Sequence, residues 1–156
     1  GYIVWKSQVL LLWHSKVGSW LPPGGHIEEN EDPAQAVRRE IKEETDLEVE
    51  ICSTSDKPNF EYPFSLPRPE YVLIEDIDDP IEGQHQHIDM IYYCRPLDDP
   101  PQANNHCIWV TKEDLEDHRA FPNDLQVHTP PPLDVRTLAL KALQEVGTIE
   151  LQGNFF

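Results

Sequence analysis

Residues 25–47 read GHIEENEDPAQAVRREIKEETDL, and the spacing of charged side chains in this stretch decides how the whole chain is interpreted. Glu43 and Glu44 follow Glu40 by three and four residues, so on a helix the three carboxylates share one stripe. Like charges at this spacing destabilise an isolated helix by roughly a few tenths of a kcal/mol per pair. Hard divalent cations such as Mg²⁺ prefer carboxylate oxygens, usually together with substrate phosphates. The stripe therefore indicates a cation site or, alternatively, a solvated acidic face.

The same stretch contains signals that begin a helix and give it a buried face. Asp32 before Pro33 is typical of an N-cap followed by the first helical position, where the missing proline N–H is not needed. Ala34, Val37 and Ile41 then recur at i, i+3 and i+7, which places them on one apolar face. We therefore predict a helix that packs inward through this face and carries its glutamates on another.

The order of residues in this stretch resembles the Nudix box of the Nudix hydrolases. The matching positions are Gly25, Glu31, Arg39, Glu40, Ile41, Glu43, Glu44 and Leu47. The flanking residues 20–24 (WLPPG) and 109–111 (WVT) are also similar to that family. Asp46 departs from the pattern, because the family has glycine there. Short polar residues are the least penalised substitutes for a left-handed glycine at a helix end, so we expect Asp46 to cost little stability and to leave the chemistry unchanged.

The resemblance implies a fold and an activity. The fold is an α/β/α sandwich in which a mixed β-sheet lies between helices, and the pattern of predicted strands and helices favours the same arrangement. The implied activity is divalent-metal-dependent hydrolysis of a diphosphate linkage in a nucleoside diphosphate derivative, by attack of water on phosphorus. The implied cofactor is Mg²⁺ or Mn²⁺, which neutralises phosphate oxygens and helps to activate the water.

The resemblance also implies roles for individual residues. The expected metal ligands are the carboxylates of Glu40, Glu43 and Glu44 and the backbone carbonyl of Gly24. Arg39 joins the three glutamates in the expected catalytic set, although it cannot lie on the same stripe as all of them. By bending towards Glu31, Arg39 would lock the loop that follows Gly25 to the helix, which gives Glu31 and Gly25 structural roles.

The general base and the substrate contacts are less defined by the sequence. In some Nudix hydrolases a glutamate of the box is the base, and in others a residue from a later loop, for which Asp89, Glu113 and Asp114 are candidates here. His85, His87 and Asp89 alternate along a predicted strand and would share one face. Their H-x-H-x-D pattern is compatible with a second metal site, with outward polar positions, or with substrate contact by His87 or Asp89. Phe64 and Phe60 are candidates for stacking on a base, as is Trp13, for which core packing is the simpler expectation. Glu113 is a further candidate for substrate contact.

The rest of the pattern predicts the elements around the helix. Short apolar or alternating runs predict strands at 2–5, 9–13 (a hairpin with the first), 47–51, 71–74, 87–94 and 107–110. Loops are expected at 57–69 over the site, 78–83, 96–105 and 122–132. A short helix is expected after a capping box formed by Thr111 and Asp114, and Asp134 is expected to cap a terminal helix. Residues 147–156 are expected to form a tail.

The charge and composition of the chain limit the kinds of molecule that it can bind. The 156 residues suit one domain spanning 1–156, and its net charge is −17, from 29 acidic and 12 basic side chains. Such a charge disfavours nucleic acid polymers and anionic membranes, whereas a small anionic substrate remains compatible if cations neutralise the site. With no signal peptide and no long apolar run, we expect a cytoplasmic monomer or homodimer. The chain begins at Gly1 without methionine, so a preceding segment is expected to be missing.

Neither an activity based on cysteine nor a function without hydrolysis fits the sequence as well as metal-dependent hydrolysis does. Cys52, Cys94 and Cys107 share no zinc-binding spacing and are expected to be reduced, buried or half-buried thiols. A catalytically silent Nudix-fold module that senses a nucleotide is the alternative function, but such modules generally lose box glutamates and none is lost here. An acidic protein-interaction module would explain the net charge but not the ordered spacing. ADP-ribose, oxidised nucleoside triphosphates and dinucleoside polyphosphates all remain open as substrates.

Overall fold

The structure, a computed structural model, describes residues 1–53, 58 and 60–153. Its helices are α1 (Pro33–Thr45), α2 (Lys112–Glu116) and α3 (Leu133–Gly153). Its strands are β1 (Tyr2–Trp5), β2 (Gln8–His14), β3 (Ser19–Leu21), β4 (Val49–Cys52), β5 (Tyr71–Asp79), β6 (Gly83–Ile91), β7 (Tyr93–Pro96), β8 (Cys107–Thr111), β9 (Phe121–Pro122) and β10 (His128–Thr129). Within the described residues, no helix is both long enough and apolar enough to cross a bilayer.

The main sheet is mixed and has β2 near its centre. β8 pairs along one edge of β2, and β1 and β3 pair along the other, all antiparallel. β1 then pairs in parallel with β7, and β7 pairs antiparallel with β4. The resulting order is β3-β2-β1-β7-β4, with β8 on the far side of β2. The predicted β1–β2 hairpin is confirmed by the register Val4↔Val9 and Trp5↔Gln8.

The sheet lies between α1 and α3 because its side chains alternate between two apolar faces. One face packs on α1 and contributes Ile3, Leu10 and Cys94 to a cluster with Val37, Ile41 and Leu47. The other face packs on α3 and contributes Tyr2, Val4, Val9, Leu11 and Tyr93 to a cluster with Val135, Leu138, Ala139, Ala142 and Val146. The expected α/β/α sandwich with a mixed sheet is therefore confirmed, as is the inward face of α1.

The central region differs from the sequence prediction. The strand expected over residues 87–94 is divided at Tyr92, so that β6 pairs with β5 in a separate hairpin and β7 enters the main sheet. Tyr92, between the two strands, is buried in the cluster that packs on α1. The chain passes from one sheet to the other at this residue. β5 also runs to Asp79, well beyond the predicted end at Ile74, because its ladder with β6 continues through the polar residues.

Three further expectations are corrected or fall partly outside the described residues. The loop expected at 122–132 contains the short β9–β10 ladder. α3 begins at Leu133, so Asp134 lies in the first turn instead of capping it, and the helix extends to Gly153, into the expected tail. Of the loop expected at 57–69, residues 57 and 59 lie outside the described residues, and 60–69 form neither helix nor strand.

Both ends of α1 are set by the residues that the sequence indicated. Asp32 Oδ1 accepts from the N–H groups of Ala34 (2.8 Å) and Gln35 (2.9 Å), while Gln35 Oε1 accepts from the Asp32 N–H at 3.0 Å. This reciprocal capping box satisfies donors that the first turn leaves unpaired. At the other end Asp46 is left-handed, with φ 65°, and its N–H donates to the Lys42 carbonyl at 3.0 Å. The expected left-handed helix end is confirmed.

We expect Asp46→Gly to preserve or slightly raise stability and to leave turnover within about twofold of the parent. Glycine removes roughly 1 kcal/mol of steric strain at positive φ, and its added freedom in the unfolded chain offsets part of this gain. Thermal melting and steady-state kinetics measure the two effects. Asp46→Ala is the matched control and should lower the melting temperature, because alanine keeps the strain and loses the polar side chain. A large loss of activity in Asp46→Gly would instead place the Asp46 carboxylate in the reaction.

Candidate active site

Arg39 joins the acidic residues of the box into one ion-pair network. Its Nε donates to Glu31 Oε1 at 2.8 Å and its Nη2 to Glu31 Oε2 at 2.9 Å, which makes a bidentate pair. Its Nη1 donates to Glu40 Oε1 at 2.7 Å and to Glu43 Oε2 at 3.4 Å. Nη2 also donates to the His26 carbonyl at 3.0 Å. The expected pairing of Arg39 with Glu31 is confirmed, and the guanidinium additionally reaches two of the three glutamates.

The pair with Arg39 changes the protonation of Glu31. Hydrogen bonds from the Arg39 guanidinium, and a further one from the Glu28 N–H at 3.0 Å, lower the pKa of Glu31 to about 2. The side chains of Arg39 and Glu31 are 23% and 13% exposed, so this pair is largely shielded from water. Glu31 thereby fastens the loop before α1 to the helix, which is the structural role that the resemblance implied.

We expect acid to weaken the native state through Glu31. Its carboxylate has a pKa of about 2 in the native protein and about 4.3 in an unfolded chain. The stabilisation is therefore complete above about pH 4.3 and is lost as the pH falls towards 2. Between about pH 4.5 and pH 2.5, the melting temperature of the wild type should fall further than that of Glu31→Gln. The exposed control Glu29→Gln should follow the wild type, and equal profiles for Glu31→Gln and wild type would contradict this role.

Gly25 leaves the space that the Glu40 carboxylate occupies. A Cβ atom at Gly25 would lie 2.4 Å from both Cδ and Oε1 of Glu40 and 2.7 Å from Oε2. Non-bonded atoms do not approach so closely, so a side chain at this position must push the carboxylate away. The structural role expected for Gly25 thus has a specific cause, which is the close approach of Glu40 to the backbone. We call this space the Gly25 cradle.

Glu44 is held from the same loop. The N–H of Gly24 donates to Glu44 Oε2 at 2.9 Å. Burial raises the pKa of Glu44 above its ordinary value, and although the Gly24 hydrogen bond opposes this shift, the charge of Glu40 adds to it. A partly desolvated carboxylate close to another carboxylate gains stability from a nearby cation. Glu44 is therefore electrostatically suited to bind one.

The glutamates of the box offer oxygen donors of the kind that a hard divalent cation prefers. Glu40 lies in the Gly25 cradle, Glu44 accepts from Gly24, and the Glu43 side chain is 60% exposed. Among the described residues, no three His, Cys, Asp or Glu side chains already converge on one point as metal ligands. The donors are nevertheless all oxygens on adjacent turns of one helix, and Glu43 has room to rotate. This chemistry fits Mg²⁺ or Mn²⁺.

Two of the expected substrate contacts, His87 and Asp89, lie on the β5–β6 hairpin. The ring of His87 meets that of His26 edge to face, with centroids 5.1 Å apart, so the hairpin reaches the loop before α1. Asp89 lies further along β6, opposite Leu73 in the register. Since the His26 carbonyl accepts from Arg39, His87 is connected to the box through one residue.

The other candidates lie on separate segments. Phe64 is 78% exposed and packs against Tyr62 with ring centroids 5.9 Å apart. Glu113 lies exposed in the first turn of α2. For Asp114, burial favours a higher pKa, but hydrogen bonds from Arg119 (2.7 Å) and from the N-cap of α2 hold that pKa below its usual value. The predicted capping box is confirmed, and it makes Asp114 a poor general base.

Two residues that no sequence pattern marked, His26 and Asn104, also contribute to the site. His26 provides a carbonyl to Arg39 and a ring to His87. The side-chain amide of Asn104 donates to the Glu44 carbonyl, and its backbone N–H donates to the Thr45 carbonyl at 3.1 Å. These bonds satisfy carbonyls that the last turn of α1 leaves unpaired. No local pattern marks Asn104, because it reaches the helix only through the connection between β7 and β8.

The cysteines are placed as expected. Cys52 and Cys94 are buried and Cys107 is half-buried. Burial raises the pKa of Cys94 to about 12 and that of Cys107 to about 11. Because the thiolate is the reactive form, these shifts disfavour a nucleophilic role for either side chain at neutral pH.

The fold and the site together define a class of α/β/α proteins in which a glutamate-bearing helix and the glycine loop before it lie on one side of a mixed sheet. The family model of the NUDIX domain matches residues 1–129. The chain therefore belongs to the Nudix hydrolase family, and the resemblance drawn from its sequence is confirmed.

Several known proteins resemble this chain. A NUDIX-family hydrolase from Clostridium perfringens is 27% identical, with a TM-score of 0.69 over 93% of each chain. The Ap4A hydrolase of C. elegans is 17% identical, with a TM-score of 0.52 over 95% of this chain and 91% of that one, and shows likeness of fold alone. An 8-oxo-dGTP diphosphatase from Proteus vulgaris is 41% identical over 46 residues, which span 30% of this chain and 41% of that protein.

Proposed function

We propose that this protein is a divalent-metal-dependent hydrolase that cleaves a diphosphate linkage in a nucleoside diphosphate derivative. The observation that carries the proposal is the junction between loop and helix, where Gly25 cradles Glu40 and Gly24 holds Glu44. Membership of the Nudix family and the likeness to the Clostridium hydrolase support it. The reaction class is hydrolysis of a phosphorus-containing acid anhydride.

In this proposal Glu40, Glu43, Glu44 and the Gly24 carbonyl would hold Mg²⁺ or Mn²⁺. A cation bound there would neutralise phosphate oxygens and make a water molecule more acidic. Arg39 contributes by position, since its bond of 2.7 Å to Glu40 Oε1 fixes that carboxylate while its pair with Glu31 fixes the loop. The loop and the helix are thus held in a fixed relative position before substrate binds.

We propose that the general base is either a glutamate of the box that does not bind the cation or a residue from later in the chain, Asp89 or Glu113. For substrate contact we propose His87 first, because its ring lies against that of His26. Asp89, Phe64 and Glu113 are further candidates.

A panel of substrates tests the proposal. Purified protein with Mg²⁺ is incubated with ADP-ribose, 8-oxo-dGTP and a dinucleoside polyphosphate, and nucleotide products and released phosphate or pyrophosphate are quantified. The name of the Proteus relative is the reason to include 8-oxo-dGTP. We expect metal-dependent cleavage of at least one compound. Nucleotide binding without cleavage would identify a sensor module instead, and neither binding nor cleavage would contradict both functions.

We also expect Mg²⁺ or Mn²⁺ to raise the melting temperature at neutral pH, because a bound cation relieves repulsion among the three glutamates. At a concentration 100-fold above Kd the stabilisation is about 2.7 kcal/mol, which corresponds to a rise of several degrees for a chain of this size. The rise should shrink near pH 4, where carboxylates begin to protonate. A variant carrying both Glu43→Gln and Glu44→Gln is the control and should show little rise. If neither metal changes the melting temperature of the wild type, the glutamates do not form a cation site.

A further inference from the structure

The β5–β6 hairpin has an apolar outer face that the proposed hydrolysis does not use. The register pairs Val72 with Met90 and Ile74 with Ile88, so these four side chains lie together on one face of the ribbon. Their exposed fractions are 60% for Val72, 39% for Met90 and 66% for both isoleucines. Single exposed apolar side chains are normal, whereas contiguous apolar patches mark interaction surfaces. We call these four residues the aliphatic patch.

The inner face of the hairpin already contacts the rest of the protein. Tyr71 and Ile91 pack against the cluster on the α3 side of the main sheet, and the His87 ring contacts that of His26. His85 lies on the same inner face, where a hydrogen bond of 3.1 Å joins its Nε2 to that of His87. Within the described part of the chain, β5 and β6 pair with each other alone, and the aliphatic patch stays open to solvent. A two-stranded ribbon is marginally stable in water by itself, so covering its outer face would stabilise it.

The charges of the hairpin define the kind of molecule that fits beside the patch. Residues 71–91 include no lysine or arginine. Their six acidic residues are Glu75, Asp76, Asp78, Asp79, Glu82 and Asp89. Asp76 and Asp78 continue the outer face beyond the aliphatic patch, opposite Gln86 and Gln84. A second copy of the chain, with its own net charge of −17, would bring like charges together. The outer face is therefore complementary to a surface that is apolar at one end and basic at the other.

The dimensions of the outer face fit one α-helix. The nine residue pairs of the hairpin, at about 3.4 Å per residue, make the ribbon roughly 30 Å long. Two strands about 4.8 Å apart, with their side chains, are about 10 Å wide. A helix is about 10–12 Å in diameter, and about 20 residues of it span 30 Å. A single helix laid along the ribbon would thus cover the outer face, and helix on sheet is one of the stable ways to bury an apolar sheet face.

We propose that the outer face of the β5–β6 hairpin binds a basic amphipathic helix of another protein. Apolar side chains of that helix would cover the aliphatic patch, and its Lys or Arg side chains would meet Asp76 and Asp78. The negative field of the whole chain would also speed the encounter with a basic partner. Because this face lies outside the proposed site on α1, partner binding and hydrolysis are separate functions.

A synthetic peptide of about 20 residues tests this surface. One face of its helix carries Leu over one half and Lys over the other, and its remaining positions are Ala and Gln. A second peptide of the same composition, with Leu and Lys distributed around the helix, controls for charge alone. Binding is measured by fluorescence anisotropy in about 0.15 M salt, where distant charges are screened. We expect the first peptide to bind at least tenfold more tightly than the second.

Protein variants locate the binding surface. Ile74→Asn together with Ile88→Asn should weaken binding of the first peptide at least tenfold, because both side chains belong to the aliphatic patch. Asp76→Asn together with Asp78→Asn should weaken it severalfold. The matched control is Val17→Asn, because Val17 is 63% exposed and lies between β2 and β3, so this variant should bind as the wild type does.

A second measurement uses the wild type alone and does not depend on how the variants fold. In NMR spectra, the amide signals of β5 and β6 should shift when the first peptide is added, and those of α1 should not. Equal binding of the two peptides, no binding of either, or shifts confined to other elements would overturn the proposal. Sedimentation velocity provides a further test. If it shows a dimer that Ile74→Asn with Ile88→Asn dissociates, the outer face binds a second copy of the chain and the proposal is wrong.

Discussion

Glu43→Gln and Glu44→Gln are each expected to lower turnover by at least about a hundredfold while leaving the fold intact. Each amide keeps the shape of the side chain but removes a negative charge that a hard cation requires. The Glu43 side chain is 60% exposed, so its replacement changes little in the native packing. Glutamine at position 44 can still accept from the Gly24 N–H through its amide oxygen and no longer carries a partly buried charge. The melting temperature without metal should therefore stay equal or rise.

The matched control is Glu48→Gln. Glu48 follows the same helix and its side chain is 67% exposed, similar to Glu43, but it pairs with Lys42 and not with Arg39. Steady-state kinetics at saturating Mg²⁺, with the substrate that the panel identifies, should show turnover near the wild-type value for this variant. If Glu43→Gln and Glu44→Gln lose only severalfold under the same conditions, the assignment of these glutamates as ligands is wrong.

Gly25→Ala is expected to lower turnover by about 10- to 100-fold with little change in melting temperature. The new methyl group would lie 2.4 Å from the Glu40 carboxylate, which must leave the cradle. A displacement of about 1 Å at a catalytic group can cost a hundredfold in rate. The fold should tolerate the change, because the atoms that move are the far end of one flexible side chain. The Mg²⁺ concentration that gives half-maximal rate should rise as well, since Glu40 is an expected ligand.

Gly147→Ala is the glycine control for this experiment. A Cβ atom at Gly147 meets nothing within 4 Å, and the residue lies in α3, on the opposite side of the sheet. Alanine in a helix is favoured over glycine by roughly 1 kcal/mol, so stability should be equal or higher while turnover is unchanged. Turnover of Gly25→Ala within twofold of the wild type would show that the Gly25 cradle does not position Glu40 for the reaction.

Local signals predicted the elements that depend on neighbouring residues. Asp32 with Pro33 begins α1, Asp46 ends it with φ 65°, and Thr111 with Asp114 begins α2, all as expected. These positions were predictable because the groups that cap a helix lie two to four residues along the chain from the backbone groups that they satisfy. The apolar spacing of Val37 and Ile41 likewise identified the buried face of α1.

Predictions that required knowledge of strand partners succeeded less often. Residues 87–94 read as one strand, and the structure divides them between the hairpin and the main sheet. The extension of β5 to Asp79 was also missed, because its acidic residues lack the apolar alternation of a half-buried strand. These polar residues are held in the strand by the ladder to β6, and a ladder partner is not visible in a local window.

The sequence by itself determined the family and the residues of the box, because the side chains that define them lie within two turns of one helix and the loop before it. It also determined that Arg39 pairs with Glu31, which the structure shows as two bonds of 2.8 and 2.9 Å. Only the tertiary structure decided that Asn104 closes the end of α1 and that His87 meets His26. Those contacts join residues far apart in the chain, and their geometry is set by how the β-hairpin and the β7–β8 connection return to the helix.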